Sequence, residues 1–309
     1  MLVTITVLTY NRKHILKNLL EDLRKIRYQD LEIIIVDNCS SDGTHEMILK
    51  QFSDFIYIVM DKNLGVSARN EGLKRAKGDI IITLDDDVFG IDDSAIDNLV
   101  EYFGQKTNVG ALNFSITDSF SGKICNWIHH REVEVYSSEE FITYEISEGA
   151  VAFQKEALNA SGFYPDYFFL SHEGPDLAFR ILNSGFEVRY SPMVKVLHSH
   201  AQEGRKSWFR YYFDTRNQFY LAMRNFPPWY ATKYLIKSSL STLFYSLRDG
   251  FLGYWIKGVY DGICGMVTYS GDRKILSKKT MKVIYEVDKN RPSLIYMVKK
   301  RIFRNEMRL

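Results

Sequence analysis

The first ninety residues alternate between short, unbroken apolar runs and amphipathic stretches. Residues 2–8, 31–36, 55–59 and 79–84 are rich in β-branched and apolar residues, the last of them written in Ile and Leu with no polar alternation. Such strands are covered on both faces, so a sheet with helices on each side is expected. Between the runs, Ile15, Leu16, Leu19, Leu20 and Leu23 recur at helical spacing, and further helices are expected over 63–76 and 92–103. Four strand–helix alternations predict an α/β, doubly wound parallel sheet with its ligand groups along one edge. From about residue 109 the polarity becomes mixed, with strands expected over 123–129, 141–146, 186–190 and 194–200. Gly174 followed by Pro175 predicts a helix capped at Gly174, with Asp176 in its first turn. After Ile236, the positions Leu240, Leu243, Phe244 and Leu247 form one apolar stripe of a helix. The expected organisation is a first half over 1–108, a second half of the same domain over 109–226, and a helical appendage over 227–309.

Each early strand ends in polar residues. Asp85, Asp86 and Asp87 follow the fourth apolar run, where three like charges call for a divalent cation of the Mg²⁺ or Mn²⁺ type or, alternatively, for solvation in an acidic turn. Asp37 closes the second strand, with Thr9 and Asn11 at the end of the first. A carboxylate there can pair with the imide edge of uracil or thymine, which presents one N–H between two carbonyls. No Gly-x-Gly-x-x-Gly follows the first strand and no P-loop occurs, which argues against a dinucleotide dehydrogenase or an NTPase.

Four segments in order, Val7 to Arg12, Ile35 to Thr44, Asn63 to Gly65 with Arg69 and Asn70, and Leu84 to Asp87, resemble the motifs of family-2 glycosyltransferases of the GT-A fold, among them rhamnosyltransferase-like bacterial glycan enzymes. The resemblance covers roughly residues 1–226. It implies a GT-A type sheet, mostly parallel, with an antiparallel acceptor extension. It also implies a nucleotide-diphosphate sugar donor, a divalent metal (Mn²⁺ or Mg²⁺) and inversion at the anomeric carbon. By this resemblance Thr9, Asn11 and Asp37 would hold the base, Asp85 would face the ribose and sugar, and Asp87 would hold the metal. Arg12, Asn38, Asn63, Gly65, Arg69, Asn70 and Asp86 would line the same cleft. Asp85 is a second candidate metal ligand.

Related enzymes usually carry adjacent Glu and Asp where this chain has Glu173 and Gly174, the Asp acting as base. Position 174 being Gly, the base is expected to be Glu173 or Asp176. Asp176 has a structural role open to it through the helix dipole and an i,i+4 pair with Arg180; Glu173, expected ahead of the helix, is favoured. His198 or His200, at a strand end where similar enzymes supply a further metal ligand, would join Asp87, His198 being preferred. Residues 201–207 read as a lid over the diphosphate, and Trp127, His129, His130 and Arg131 as acceptor contacts or as packing.

With 309 residues, 46% of them hydrophobic, the chain can bury a full core. Its three cysteines, odd in number and widely spaced, are expected to be free thiols in a reducing cytoplasm, and no signal peptide is expected because the chain enters its first strand at once. A net charge of +2 hides a basic end: residues 272–309 hold twelve Lys and Arg against four Asp and Glu. With the aromatic residues from Trp208 to Trp255, this end predicts helices lying at an anionic membrane surface; a helical appendage packed on the catalytic domain or on a second copy is the competing expectation. No nucleic-acid motif accompanies the basic residues. The functional expectation is a glycosyltransferase moving a sugar from a UDP- or dTDP-sugar to a glycan or lipid-linked acceptor of a cell-surface polysaccharide. A donor-binding scaffold without catalysis, or a sugar-phosphate nucleotidyltransferase, is the alternative. The latter would need a glycine-rich, arginine-containing loop after the first strand, which is missing here.

Overall fold

The computed structural model describes residues 1–199, 208–293 and 296; His200 and the lid expected over 201–207 lie outside them. In chain order the elements are β1 (Val3–Thr9), α1 (Lys13–Leu23), β2 (Leu31–Asp37), α2 (Thr44–Gln51), β3 (Ile56–Val59), α3 (Arg69–Arg75, entered through a 3₁₀ turn, Gly65–Ala68), β4 (Ile80–Asp85), β5 (Val88–Phe89) and α4 (Asp93–Gln105). There follow β6 (Val109–Asp118), α5 (Val133–Tyr136), β7 (Phe141–Ile142), β8 (Ala150–Gln154), α6 (Lys155–Ser161), α7 (Glu173–Asn183), β9 (Glu187–His198), α8 (Phe209–Asn225), α9 (Pro228–Arg248), α10 (Leu252–Thr268) and α11 (Lys278–Lys289).

One sheet runs β3-β2-β1-β4-β8-β6-β9-β5, with β7 on β9. β1 to β4 pair in parallel, β8 enters antiparallel between β4 and β6, and β9 lies parallel to β6. Side chains alternate across the unbroken apolar runs as a doubly covered sheet requires. Val3, Ile5, Ile33, Ile35, Ile80 and Ile82 pack under α1, α2 and α4. Ile34, Val36 and Ile81 face α3, α7 and α11 on the other side.

The mixed-polarity half departs from expectation. No strand forms over 123–129 beyond a single bridge at Ile124, and the strand expected over 141–146 shrinks to β7. Trp127, His129 and Phe141 instead gather around Tyr190, with ring centroids 5.0–5.1 Å away. His129 is buried, and burial pushes its imidazole down to about 3, so it stays neutral packing. The two strands expected over 186–200 are one, β9, whose register on β6 shifts between Asn113 and Ser115.

At the C-terminal side, α10 lies against α8 through glycines. A Cβ at Gly258 would stand 2.8 Å from the Tyr212 carbonyl oxygen, and at Gly262 2.6 Å from the Phe219 ring. The described part of the basic end is no free tail: α11 buries Met281, Ile284 and Val287, and Asp288 accepts a 2.6 Å hydrogen bond from Tyr144. The stripe on α9 faces outward, with Ile236, Leu240, Phe244 and Leu247 all more than half exposed. Among the described residues no helix is long and apolar enough to cross a membrane.

Candidate active site

The C-terminal ends of β1, β2 and β4, the N-terminal end of β8 and the start of α7 converge on one edge of the sheet. The three aspartates after β4 separate into three environments. Asp85 ion-pairs with Arg69, whose guanidinium is buried and also donates to the Leu84 carbonyl oxygen at 3.2 Å. Asp86 is buried, accepting from Thr9 Oγ at 2.8 Å and Arg12 Nη1 at 2.9 Å. Burial pushes its carboxyl up to about 6 even against the neighbouring Arg12. Asp87 accepts from Arg12 at 3.0 Å and lies 3.2 Å from His198 Nε2. Thr9, Arg12 and Asp86 thereby tie β1 to the acidic turn, a structural use of residues expected to touch the donor.

Asp87 and His198 are 111 positions apart in sequence and meet because β5 pairs antiparallel with β9, Val88 opposite His198, while the Ser199 N–H donates to the Asp87 carbonyl oxygen at 2.9 Å. Burial lowers the His198 pKa, but hydrogen bonds to Asp87 and Cys125 and the charges of Asp87 and Asp85 together outweigh it and hold the imidazole up at about 9. One carboxylate and one imidazole at this separation fit a divalent cation that takes its other ligands from a diphosphate and water. Among the described residues no group of three or more His, Cys, Asp and Glu forms a complete protein cage. Asp85 turns to Arg69 rather than joining this pair.

On the β2 side, Asp37 is wholly buried, and its oxygens accept from the Ser40 N–H at 2.8 Å and Tyr57 Oη at 2.7 Å. Asn11, at φ +54°, accepts from the Ser41 N–H at 2.7 Å. Asn38 donates to Asn63 Oδ1 at 2.9 Å, and that oxygen also accepts from the Gly65 N–H. Gly65 is needed for close approach, as expected, but the approaching group is the Phe169 carbonyl, where a Cβ would overlap it, and φ is +62°. Asn70 is also structural: its amide donates to the Tyr164 carbonyl oxygen at 2.7 Å and accepts from the Tyr164 N–H at 3.0 Å.

The start of α7 corrects two expectations. The helix begins at Glu173 with His172 as its cap, so Gly174 is not the cap and Glu173 belongs to the first turn. Asp176 is fully buried between Arg180, at 2.9 Å, and Arg224, at 2.9 Å, and also accepts from Asn225 at 2.8 Å. A carboxylate so held is committed to the two guanidiniums and lies away from any substrate. Glu173 is 4% exposed, its Oε2 lacks a hydrogen-bond partner, and burial pushes its carboxyl up to about 7.

Sequence reasoning missed Glu148. A Cβ at Gly174 would overlap a Glu148 carboxylate oxygen, and would stand 2.5 Å from the Ile146 carbonyl oxygen. The Glu148 carboxyl is raised well above the usual range by desolvation and by its repulsion with Glu173. Three buried polar atoms here have no hydrogen-bond partner: Glu173 Oε2, Arg69 Nε and Tyr164 Oη. Unpaired buried polar atoms are costly, and their gathering at a sheet edge marks a place that a ligand completes.

A parallel sheet extended by antiparallel strands, with its acidic edge at the strand ends, defines the GT-A class of glycosyltransferase folds. The family model for glycosyl transferase family 2 matches residues 4–164, over half of the chain, and the chain belongs to that family. It is 25% identical over 229 residues to the O-antigen chain rhamnosyltransferase RfbN of Salmonella typhimurium, covering 70% of this chain and 71% of that protein. It is 32% identical over 113 residues to poly-beta-1,6-N-acetyl-D-glucosamine synthase of Staphylococcus aureus, a match to 36% of this chain and only 27% of the synthase. Among solved structures, S. aureus TarS 1–349 in complex with UDP-GlcNAc aligns with a TM-score of 0.61 at 15% identity, over 94% of this chain and 91% of that one. The mannosyltransferase PcManGT from Pyrobaculum calidifontis, in complex with GDP-Man and Mn²⁺, aligns with a TM-score of 0.53 at 17% identity, over 93% and 86%. At these identities the likeness to solved structures establishes the fold.

Proposed function

We propose that this chain is an inverting, divalent-metal-dependent glycosyltransferase that moves a sugar from a UDP- or dTDP-sugar to a glycan or lipid-linked acceptor. The observation that carries the reading is the juxtaposition of Asp87 with His198 beside an edge that also holds the buried Glu173 carboxyl, one oxygen of which has no hydrogen-bond partner. Relatives named as a rhamnosyltransferase and a polysaccharide synthase, and solved neighbours bound to nucleotide sugars, support the substrate class. Asp87 and His198 would hold Mn²⁺ or Mg²⁺, which supplies positive charge to the diphosphate when bound. Thr9, Asn11 and Asp37 frame the base end of the cleft, and Arg69 fixes Asp85 toward the sugar. A carboxylate where the start of α7 meets the loop before β8 accepts the proton of the acceptor hydroxyl, and direct displacement then inverts the anomeric centre. Cell-surface polysaccharide synthesis at the cytoplasmic membrane face fits the outward apolar stripe of α9.

A thermal-shift screen of UDP-GlcNAc, other UDP-sugars and dTDP-sugars, with and without Mn²⁺, tests the reading, since a ligand that binds only the folded state raises its stability. A metal-dependent rise with at least one donor is expected. No rise with any donor, together with no release of UDP or dTDP, sinks it.

A further inference from the structure

The side chain at position 174 is missing, yet the space it would occupy is not empty. A Cβ at Gly174 would overlap one Glu148 carboxylate oxygen and stand 3.2 Å from its carboxyl carbon. A carboxylate oxygen therefore fills the space a side chain at 174 would claim, delivered from the loop before β8 instead of from α7.

That loop is held on several sides. The Glu148 carbonyl oxygen accepts from Thr83 Oγ at 2.5 Å, the Gly149 carbonyl oxygen accepts from the Asp85 N–H at 3.1 Å, and the Ser147 N–H donates to Asn113 Oδ1 at 2.8 Å. The start of α7 is held too: Asn217 of α8 donates to the carbonyl oxygens of Phe168, Leu170 and Ser171 at 2.6–2.9 Å. Taken as a whole residue Glu148 is half-buried where Glu173 is buried, and its carboxylate comes from the loop that crosses the edge beside Asp85. Arg69, Tyr164, Asp85 and Asp214 are the other charged or titratable groups facing the pair. The unpartnered Arg69 Nε and Tyr164 Oη are independent signs that this pocket completes its hydrogen bonding with substrate.

We propose that Glu148 is the catalytic base, supplied from the loop before β8 in place of the side chain that position 174 lacks, with Glu173 as the positioning residue behind it. The proposal rests on the glycosyltransferase reading above. In the step it performs, the acceptor hydroxyl gives its proton to a Glu148 carboxylate oxygen. The hydroxyl oxygen bonds to the anomeric carbon, and the bond from that carbon to the diphosphate oxygen breaks, its electron pair leaving with the nucleoside diphosphate. The proton on Glu148 then passes to water. Two carboxyls this close resist ionising together, so Glu173 keeps its neighbour a stronger base than an isolated carboxylate.

The test measures UDP or dTDP release by the full chain with Mn²⁺ and the donors that stabilise it. Glu148→Gln keeps the shape of the side chain and removes its basicity. With the melting temperature and donor affinity of the intact protein, it is expected to lose roughly 10²–10⁴-fold in kcat. Glu173→Gln is expected to lose less and to move the acid limb of the kcat–pH profile to lower pH, because a neighbouring negative charge has gone. A Glu148→Gln rate within about tenfold of the intact protein overturns the proposal and leaves the enzyme reading standing. If Glu148→Gln fails to fold, the acid limb decides: an unmoved limb in Glu173→Gln overturns the proposal and a lowered one supports it. An intact protein that releases nucleotide from none of the donors overturns the proposed function itself.

Discussion

Asp176 and Glu173 are three positions apart on one helix turn and do opposite things. Asp176 neutralises two guanidiniums in the interior. Removing its charge leaves Arg180 with only carbonyl partners and Arg224 with the exposed Asp272, at a cost of up to about 3–5 kcal/mol, more than the few tenths expected of an exposed helix-dipole contact. Asp176→Asn should therefore lower the denaturant midpoint severely, with any loss of turnover following the loss of folded protein; a near-normal midpoint would contradict the buried geometry. Glu173 works the other way. Its carboxyl, about 7 in the fold against an ordinary value of 4.5, binds its proton more tightly when folded. That contribution to stability is complete below about pH 4.5 and is lost as pH rises through 7. Glu173→Gln, which is never ionised, should be more stable than the intact protein at pH 8 and flatter between pH 5 and 8. Urea unfolding at a series of pH values would show this, and a parallel pair of curves would refute it.

Whole elements are seated by close backbone approaches. The 3₁₀ turn before α3 fits beneath the Phe169 carbonyl because residue 65 has neither a Cβ nor a steric objection to φ +62°. Gly65→Ala should destabilise by more than about 1 kcal/mol, because the backbone oxygen it meets cannot swing aside. The displaced 168–172 loop should lower donor transfer as well. On α10, Gly265 faces Tyr220 so closely that a Cβ would overlap its ring. Gly265→Leu should separate α10 from α8, read as a lower melting temperature and faster proteolysis within 250–270. Unchanged proteolysis would mean that the two helices are held by other contacts.

For the molecule as a whole, the outward faces of α9 and α10 leave Ile236, Leu240, Phe244, Ile256, Ile263 and Val267 more than half exposed. Exposed apolar residues in this number invite a partner, and a lipid surface is the expectation carried forward from the aromatic and basic composition of this end. Deleting everything after residue 225 would not test it cleanly, since α10 covers α8, and Phe226 and the α11 residues Met281, Ile284 and Val287 belong to the core. The better variant places Glu at both Ile236 and Phe244, which are already exposed. The intact chain should float with anionic liposomes at low salt and the variant should not; equal flotation would put the lipid contact elsewhere, and none by the intact chain would favour packing against a second copy.

The amino-acid order alone carried the alternation of β1 to β4 with α1 to α4, because runs such as Ile80 to Leu84 must be buried on both faces whatever their neighbours are. It also carried the polar cluster at each strand's end, since a chain leaving a buried strand has to change composition there. It could not show that Asp85, Asp86 and Asp87 face Arg69, Thr9 with Arg12, and His198 respectively, because their partners lie up to 111 positions away. Nor could it distinguish Glu173 from Asp176, which differ in the arginines that α7 and α8 bring to one of them. Glu148 was the least legible. Its carboxylate reaches the active edge because β8 runs antiparallel, so that the N-terminal end of β8 lies where the parallel strands end. Strand direction is decided by long-range pairing, and composition along the chain leaves no mark of it.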